Sequence, residues 1–304
     1  MNPEEFVKKT IEDIKRNVKG KAIIACSGGV DSTTSAVIAR KALGDKLICV
    51  FIDTGFLREG ERENVENLLR NYGLNPTVID ASERFINELS KAEDAEGKRK
   101  IFARVYWEVL EEVAKKEDVD WLISGTIAPD WIETEGGIKS HHNITLPKGL
   151  KLKIYEPLRD LYKDEVREIA RYLRLKEIAE KMPFPGPGLA IRIVGKIDKE
   201  KIEIVRKANK IVEEEVAKAN LKVWQAFAVL LPIKTVGVVG DERIYGYTIA
   251  VRIVESRDAM TANFAKVDWE LLAKIANRIT SEISKVNRVL YDITNKPPAC
   301  IEYE

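Results

Sequence analysis

Four short apolar runs divide the first half of the chain: 21–25 (KAIIA), 47–52 (LICVFI), 76–79 (PTVI) and 119–123 (VDWLI). Between them, over 31–43, 61–71 and 99–116, apolar residues recur at helical spacing. In the last of these Ile101, Val105, Val109 and Val113 repeat one turn apart. Strands alternating with helices build βαβ units, which require a parallel sheet with right-handed crossovers. The expected fold is therefore α/β with a doubly wound, mostly parallel sheet. The texture changes at 182–188 (MPFPGPG), where three prolines and two glycines in seven residues continue neither a helix nor a central strand. Beyond it come a helix over 198–219, strand-like runs at 226–231, 235–239 and 245–254, a helix over 269–285 and a strand over 288–293. That order predicts a smaller C-terminal α+β domain, and the expected domains are 1–185 and 186–304.

Charge and cysteine usage exclude several function classes. Fifty Lys and Arg against 49 Asp and Glu leave a net charge of +1, so nothing draws the whole chain to nucleic acid. No run reaches about 18 apolar residues, and the N-terminal stretch alternates charged with apolar positions, which argues against a membrane span or a signal peptide. Cys26, Cys49 and Cys300 cannot all pair with one another and form no C-x-x-C spacing. They read as reduced thiols, and the expected compartment is the cytoplasm. Charged residues make up 33% of the chain and Gln225 is its only glutamine. Both are tendencies of heat-adapted proteins, although asparagine is not depleted.

The hexapeptide Ser27-Gly28-Gly29-Val30-Asp31-Ser32 joins the first strand to the first crossover helix. Glycines let the backbone turn tightly and bring its N–H groups against phosphate oxygens. The helix that follows adds unpaired N–H groups and a partial positive charge. Ser27 and Ser32 supply hydroxyls. Asp31 would repel a phosphate directly, so a magnesium ion between the two is the consistent arrangement. A Ser-Gly-Gly turn by itself is only an entry to a capped helix; the strand–loop–helix setting makes it a phosphate cradle. No G-x-x-x-x-G-K-[ST] loop occurs.

SGGVDS resembles the loop of the ATP-pyrophosphatases, and further stretches narrow the resemblance to the GMP synthetase family. Phe51-Ile52-Asp53-Thr54-Gly55 ends the second strand, and Leu57-Arg58-x-x-Glu61 resembles the family's lid motif. Ser124-Gly125-Thr126-x-x-Pro129-Asp130-x-Ile132-Glu133 follows the fourth strand, where ligands of open α/β sheets bind. Lys139-Ser140-His141-His142-Asn143 and the stretch 157–167 (PLRDLYKDEVR) also match. The most discriminating matches are 183–192 (PFPGPGLAIR), 225–232 (QAFAVLLP), 235–241, 256–262, 287–294 and 296–304 (KPPACIEYE). In the final stretch Cys300 and Tyr303 stand where the family usually has Thr and Trp.

That resemblance implies an adenine-nucleotide alpha-hydrolase-like sheet domain and a C-terminal domain that dimerises and binds xanthosine monophosphate (XMP). It implies a ligase that adenylylates XMP with Mg-ATP, releases pyrophosphate and aminates the product to GMP. Asp31, Lys139, Arg58 and Glu61 are the implied catalytic residues. Ser27, Gly28, Gly29, Val30, Asp31, Ser32, Gly125 and Thr126 would bind ATP and pyrophosphate. Arg192, Gln225, Lys296, Ile301 and Glu302 would bind XMP, and Asp31 with Asp130 would hold Mg2+. His141 and His142, the only histidines, are expected to line a pocket or shape a loop. Only 26 residues precede Ser27, too few for a glutamine-hydrolysing domain, so a separate amidotransferase subunit is the expected source of ammonia. The alternative is another ATP-pyrophosphatase, such as a tRNA-thiolating enzyme, for which catalytic cysteines and a basic face are wanting.

Overall fold

A computed structural model describes residues 1–127 and 143–304. It divides into two compact units. The first comprises Met1–Asp53, Arg62–Ala81 and Arg104–Lys181; the second comprises Thr54–Glu61, Ser82–Ala103 and Met182–Glu304. The break at Met182 lies close to the expected boundary, but the units are not the continuous blocks 1–185 and 186–304. Two excursions from the first block pack with the second unit, which is consequently no smaller than the first. For Thr54–Glu61 hydrogen bonding gives the reason. Arg206 donates to the carbonyls of Gly55 (2.7 Å) and Leu57 (3.0 Å), and the Leu189 N–H donates to Phe56 O (2.9 Å).

In the first unit β1 (Ala22–Ala25), β2 (Leu47–Asp53), β3 (Thr77–Asp80), β4 (Trp121–Ile123), β5 (Asn143–Thr145) and β6 (Lys151–Tyr155) form one sheet in the order β3-β2-β1-β4-β6-β5. Neighbours are parallel except β5, which runs antiparallel to β6 at the edge. Ile23, Ile24, Val50, Phe51 and Leu122 are buried, as the continuous apolar runs of a sheet covered on both faces require. The helix Val30–Leu43 packs against helices Pro3–Asn17 and Lys163–Tyr172. Tyr155 Oη donates to Asp13 Oδ2 (2.6 Å) and ties the N-terminal helix to β6. The four expected strands are present. β5 and β6 are additions, since KLKIY alternates exposed lysines with buried Leu152 and has no continuous apolar run. Buried Glu111 holds their connection, accepting the N–H groups of Lys148 (2.7 Å) and Leu150 (3.0 Å).

In the second unit β7 (Gln225–Val239) and β8 (Glu242–Glu255) form a long antiparallel hairpin. β10 (Val286–Tyr291) runs parallel to β8, and β9 (Asn263–Phe264) pairs antiparallel with it. The runs 226–231 and 235–239 are one strand, interrupted by a register shift between Leu230 and Lys234 where Pro232 has no N–H to give. Before the shift β7 is buried; beyond it Val238 is 69% and Tyr245 on β8 is 71% exposed. The helix Lys199–Lys218, capped by Asp198, packs on β7, and the helix Trp269–Glu282 packs on both Lys199–Lys218 and β10. That last helix stops short of residue 285 because Ile283 turns to an extended conformation and is buried. Phe227, Val229, Ala250, Val254, Ala262 and Ile301 form one core cluster. Among the described residues no helix is long and apolar enough to cross a membrane.

Candidate active site

The phosphate-type loop leaves β1 at buried Cys26, whose N–H donates to Val50 O (2.8 Å). Gly28 has φ +80°, and a Cβ there would meet Val65 Cγ2 at 2.7 Å, so glycine is required. The loop closes on itself. Ser27 N–H donates to Ser32 Oγ (3.3 Å), the two serine hydroxyls lie 3.4 Å apart, and Thr33 N–H reaches Gly29 O (3.1 Å) to start the helix. Gly125, just past β4, lies against this first turn; a Cβ would meet Ser32 N at 3.0 Å and the Asp31 carbonyl carbon at 3.2 Å. Ser124 and Thr126 share a hydroxyl hydrogen bond of 2.8 Å. Ser27, Gly28, Gly29, Val30, Asp31, Ser32 and Gly125 thus come together at the carboxyl ends of β1 and β4.

Two lysines stand beside the loop that the sequence pattern did not single out. Lys163 Nζ pairs with Asp31 Oδ2 (2.6 Å), and Lys181 Nζ donates to Gly28 O (3.4 Å). Lys163 belongs to the stretch 157–167, so a signal was present but read equally well as a surface helix. At the ends of β2 and β3, Arg62 Nη1 bridges Asp53 Oδ2 and Asp80 Oδ2, each at 3.1 Å. Asp130, Lys139, His141 and His142 lie outside the described residues. Among the described residues no group of three His, Cys, Asp or Glu side chains could hold a metal unaided. One carboxylate beside a glycine turn and a helix start is nevertheless a donor set that would suit Mg2+ carried by a nucleotide, because magnesium typically takes one or two carboxylates and completes its shell with phosphates and water.

A second constellation is built within the second unit. Arg192 is 2% exposed, and its Nη2 and Nε meet Glu302 Oε1 (3.1 Å) and Oε2 (3.4 Å) while Nη1 donates to Asn209 Oδ1 (3.1 Å). Gln225 Nε2 donates to Pro183 O (3.1 Å) and to Glu302 Oε1 (3.4 Å). Arg192, Gln225 and Glu302 are therefore one cluster. The Arg192 guanidinium lies over the rings of Phe227 (4.1 Å) and Phe184 (5.0 Å). Lys296 donates to Ala259 O (2.8 Å), and Ile301 sits in the core cluster below.

Arg58 and Glu61 also belong to this unit. Arg58 Nε and Nη2 meet Glu61 Oε2 (3.1 Å) and Oε1 (3.2 Å), Nη1 meets Glu213 Oε1 (3.2 Å), and the guanidinium lies 4.4 Å from the Phe184 centroid. Burial works against the Arg58 charge, but Glu61 and Glu213 outweigh it and raise its pKa. Arg58 and Arg192 consequently flank the same Phe184 ring, a link between two motifs 134 positions apart that no local spacing could signal.

Comparison with known proteins shows the family. A family model described as NAD synthase matches residues 2–222, and one described as GMP synthase C terminal domain matches residues 212–303. A glutamine-hydrolyzing GMP synthase subunit of Thermococcus kodakarensis is 61% identical to this chain, covering 99% of each. The corresponding GMP synthase subunits of Methanopyrus kandleri (56% identity, covering 100% of this chain and 99% of that one) and Thermoplasma acidophilum (51%, covering 100% of each) are similar throughout. A solved structure of NMN synthetase from Francisella tularensis superposes with a TM-score of 0.50 at 20% identity, covering 62% of this chain and 78% of that one, which shows a shared fold.

Proposed function

Because the chain belongs to this family of glutamine-hydrolyzing GMP synthase subunits, we propose that it converts XMP to GMP at the expense of ATP, as a ligase forming a C–N bond. The XMP C2 oxygen attacks the α phosphorus of ATP. The bond from that phosphorus to the bridging oxygen breaks, and pyrophosphate leaves. Ammonia then adds to C2 and loses a proton, and AMP departs with the C2 oxygen. The observation that carries this reading is the loop at the end of β1. Its serine hydroxyls, tight glycine turn and helix start offer donors where charge accumulates on a departing diphosphate.

In this reading Ser27 through Ser32, with Gly125 and Thr126, hold the phosphates. Lys163, now paired with Asp31, is a further cation for them. Asp31, with Asp130, would hold Mg2+, which supplies electrostatic neutralisation of the phosphate oxygens. Lys139 stabilises charge on the transferring phosphoryl group. Gln225, Lys296, Ile301 and Glu302 receive XMP, and Arg192 acts mainly by orienting Glu302, since its donors are engaged there and at Asn209. Arg58 and Glu61 are assigned to closure over the reactants, which protects the adenylyl intermediate from water.

The relatives are named as one subunit of a glutamine-hydrolyzing enzyme, which supports a separate amidotransferase chain as ammonia source. Homodimerisation through the second unit is supported by the exposed apolar residues Val236, Val238, Val239 and Tyr245 at the tip of the β7–β8 hairpin. The free cysteines accord with a reducing cytoplasm. A tRNA-thiolating activity is not favoured, given full-length similarity to GMP synthase subunits. The test is an incubation of the protein with ATP, Mg2+, XMP and ammonium. AMP, pyrophosphate and GMP in equal amounts are expected; ATP turnover without GMP would defeat the assignment.

A further inference from the structure

We propose that Arg252 is a positioning residue that shapes the segment 292–304 into the arm presenting Lys296 and Glu302 to the nucleotide; this rests on the XMP reading above. Arg252 lies on β8 and is completely buried. Its Nη1 donates to Thr294 O (2.7 Å), its Nη2 to Cys300 O (2.9 Å) and its Nε to Ile301 O (2.8 Å), while Nη1 pairs with Asp292 Oδ2 (3.2 Å). Three main-chain carbonyls from both ends of an irregular stretch thus converge on one planar cation. A guanidinium does this because its five donors are spread over three nitrogens in a rigid fork, whereas an ammonium carries its three donors on a single nitrogen and cannot span carbonyls so far apart. Tyr303 Oη closes the loop by donating to Asp292 Oδ2 (2.7 Å).

A second anchor follows immediately. Buried Lys98 Nζ pairs with Glu304 Oε2 (2.5 Å) and donates to Ile193 O (2.5 Å), the Gly195 N–H donates to Glu304 Oε1 (3.1 Å), and Arg99 donates to Glu304 O. Glu302 stands between a carbonyl gripped by Arg252 at residue 301 and a carboxylate gripped by Lys98 at residue 304. Its direction toward Arg192 and Gln225 is therefore set by the backbone on both sides. A buried ion pair is a weak source of stability compared with apolar packing, whereas fixing the direction of a binding side chain is what a rigid supporting shell achieves.

The test measures XMP and Mg-ATP affinities separately by calorimetry on the full chain, for wild type, Arg252→Lys, Arg252→Ala, Tyr303→Phe and Glu302→Gln, with circular dichroism as a check on folding. For Arg252→Lys the XMP affinity is expected to fall about tenfold or more while the Mg-ATP affinity is unchanged, the sensitivity that small misplacements of binding groups produce. Free guanidinium at millimolar concentration should restore part of the XMP affinity of Arg252→Ala, which a loss of general stability would not allow. Wild-type XMP affinity in folded Arg252→Lys, alongside weakened binding in Glu302→Gln, overturns the positioning role and leaves the XMP site standing. Undiminished XMP binding by Glu302→Gln, or none by wild type, removes the site itself. Should both Arg252 variants unfold, Tyr303→Phe decides: severalfold weaker XMP binding supports the clamp, and wild-type binding overturns it.

Discussion

Gly125→Ala is the most direct challenge to the phosphate loop. The added Cβ would stand 3.0 Å from Ser32 N, 3.1 Å from Ser32 Cα and 3.2 Å from the Asp31 carbonyl carbon. All three are main-chain atoms of the helix start, so no side-chain rotation relieves the contact and the loop or Gly125 must shift by a few tenths of an ångström. Overpacking of this kind costs about 1–3 kcal/mol. Part appears as lost stability, and part as misplacement of the Ser27 and Ser32 hydroxyls, now 3.4 Å apart. A hydrogen bond to a charged group contributes about 1.5–3 kcal/mol, and about 1.4 kcal/mol corresponds to tenfold in affinity. Losing one phosphate contact therefore raises the KM for ATP about tenfold to a hundredfold. Pyrophosphate release as a function of ATP, at saturating XMP and ammonium, measures this, with calorimetric XMP binding as a control expected to stay unchanged. A Gly125→Ala protein with the wild-type KM for ATP would show that this close approach does not set the loop.

Lys163→Met removes the cation at Asp31, and the rate at subsaturating ATP should fall about tenfold, as expected for a charge-assisted phosphate contact; an unchanged rate would relegate Lys163 to a surface helix. Burial disfavours ionised Glu111, but the Lys148 and Leu150 N–H groups and Lys115 hold its pKa below the ordinary 4.5. A carboxylate depressed in the folded state stabilises above its unfolded pKa and loses that contribution as pH falls through the folded value. The melting-temperature gap between wild type and Glu111→Gln should thus be widest at neutral pH and narrow in acid; a gap that widens below pH 4.5 would contradict this. Cys26 Sγ lies 3.0 Å from Cys49 Sγ, and this contact together with burial pushes the Cys26 thiol well up. A thiol-reactive chromophore should label exposed Cys300 at once and the other two only on unfolding, so rapid labelling of three thiols would count against the described core. If the proposed dimer forms through the hairpin tip, Val238→Glu at that exposed position should leave only monomer in sedimentation; a sedimentation coefficient equal to that of a dimeric wild type would rule out this contact.

Much of the architecture was legible because local chemistry and tertiary demand coincide there. A strand of a sheet covered on both faces must be apolar throughout, so AIIA and LICVFI declared themselves, and the loop after Ala25 was marked by glycines whose backbone demands are local. KLKIY was not legible as β6, because an edge-side strand needs only alternate burial and its lysines masked the period. Residues 226–231 and 235–239 looked like two strands because Pro232 interrupts pairing without ending the strand.

Sequence by itself determined the alternation of strand and helix, the glycine loop after β1 and the family, since each is carried by residues adjacent in the chain. Tertiary structure alone decided that Thr54–Glu61 and Ser82–Ala103 join the second unit, that Lys163 reaches Asp31, and that Arg192 faces Glu302 across 110 positions. It alone showed Arg252 gathering the carbonyls of Thr294, Cys300 and Ile301. The physical reason is that a buried guanidinium must find oxygen partners wherever folding leaves them, and main-chain carbonyls, identical at every residue, leave no mark in a sequence.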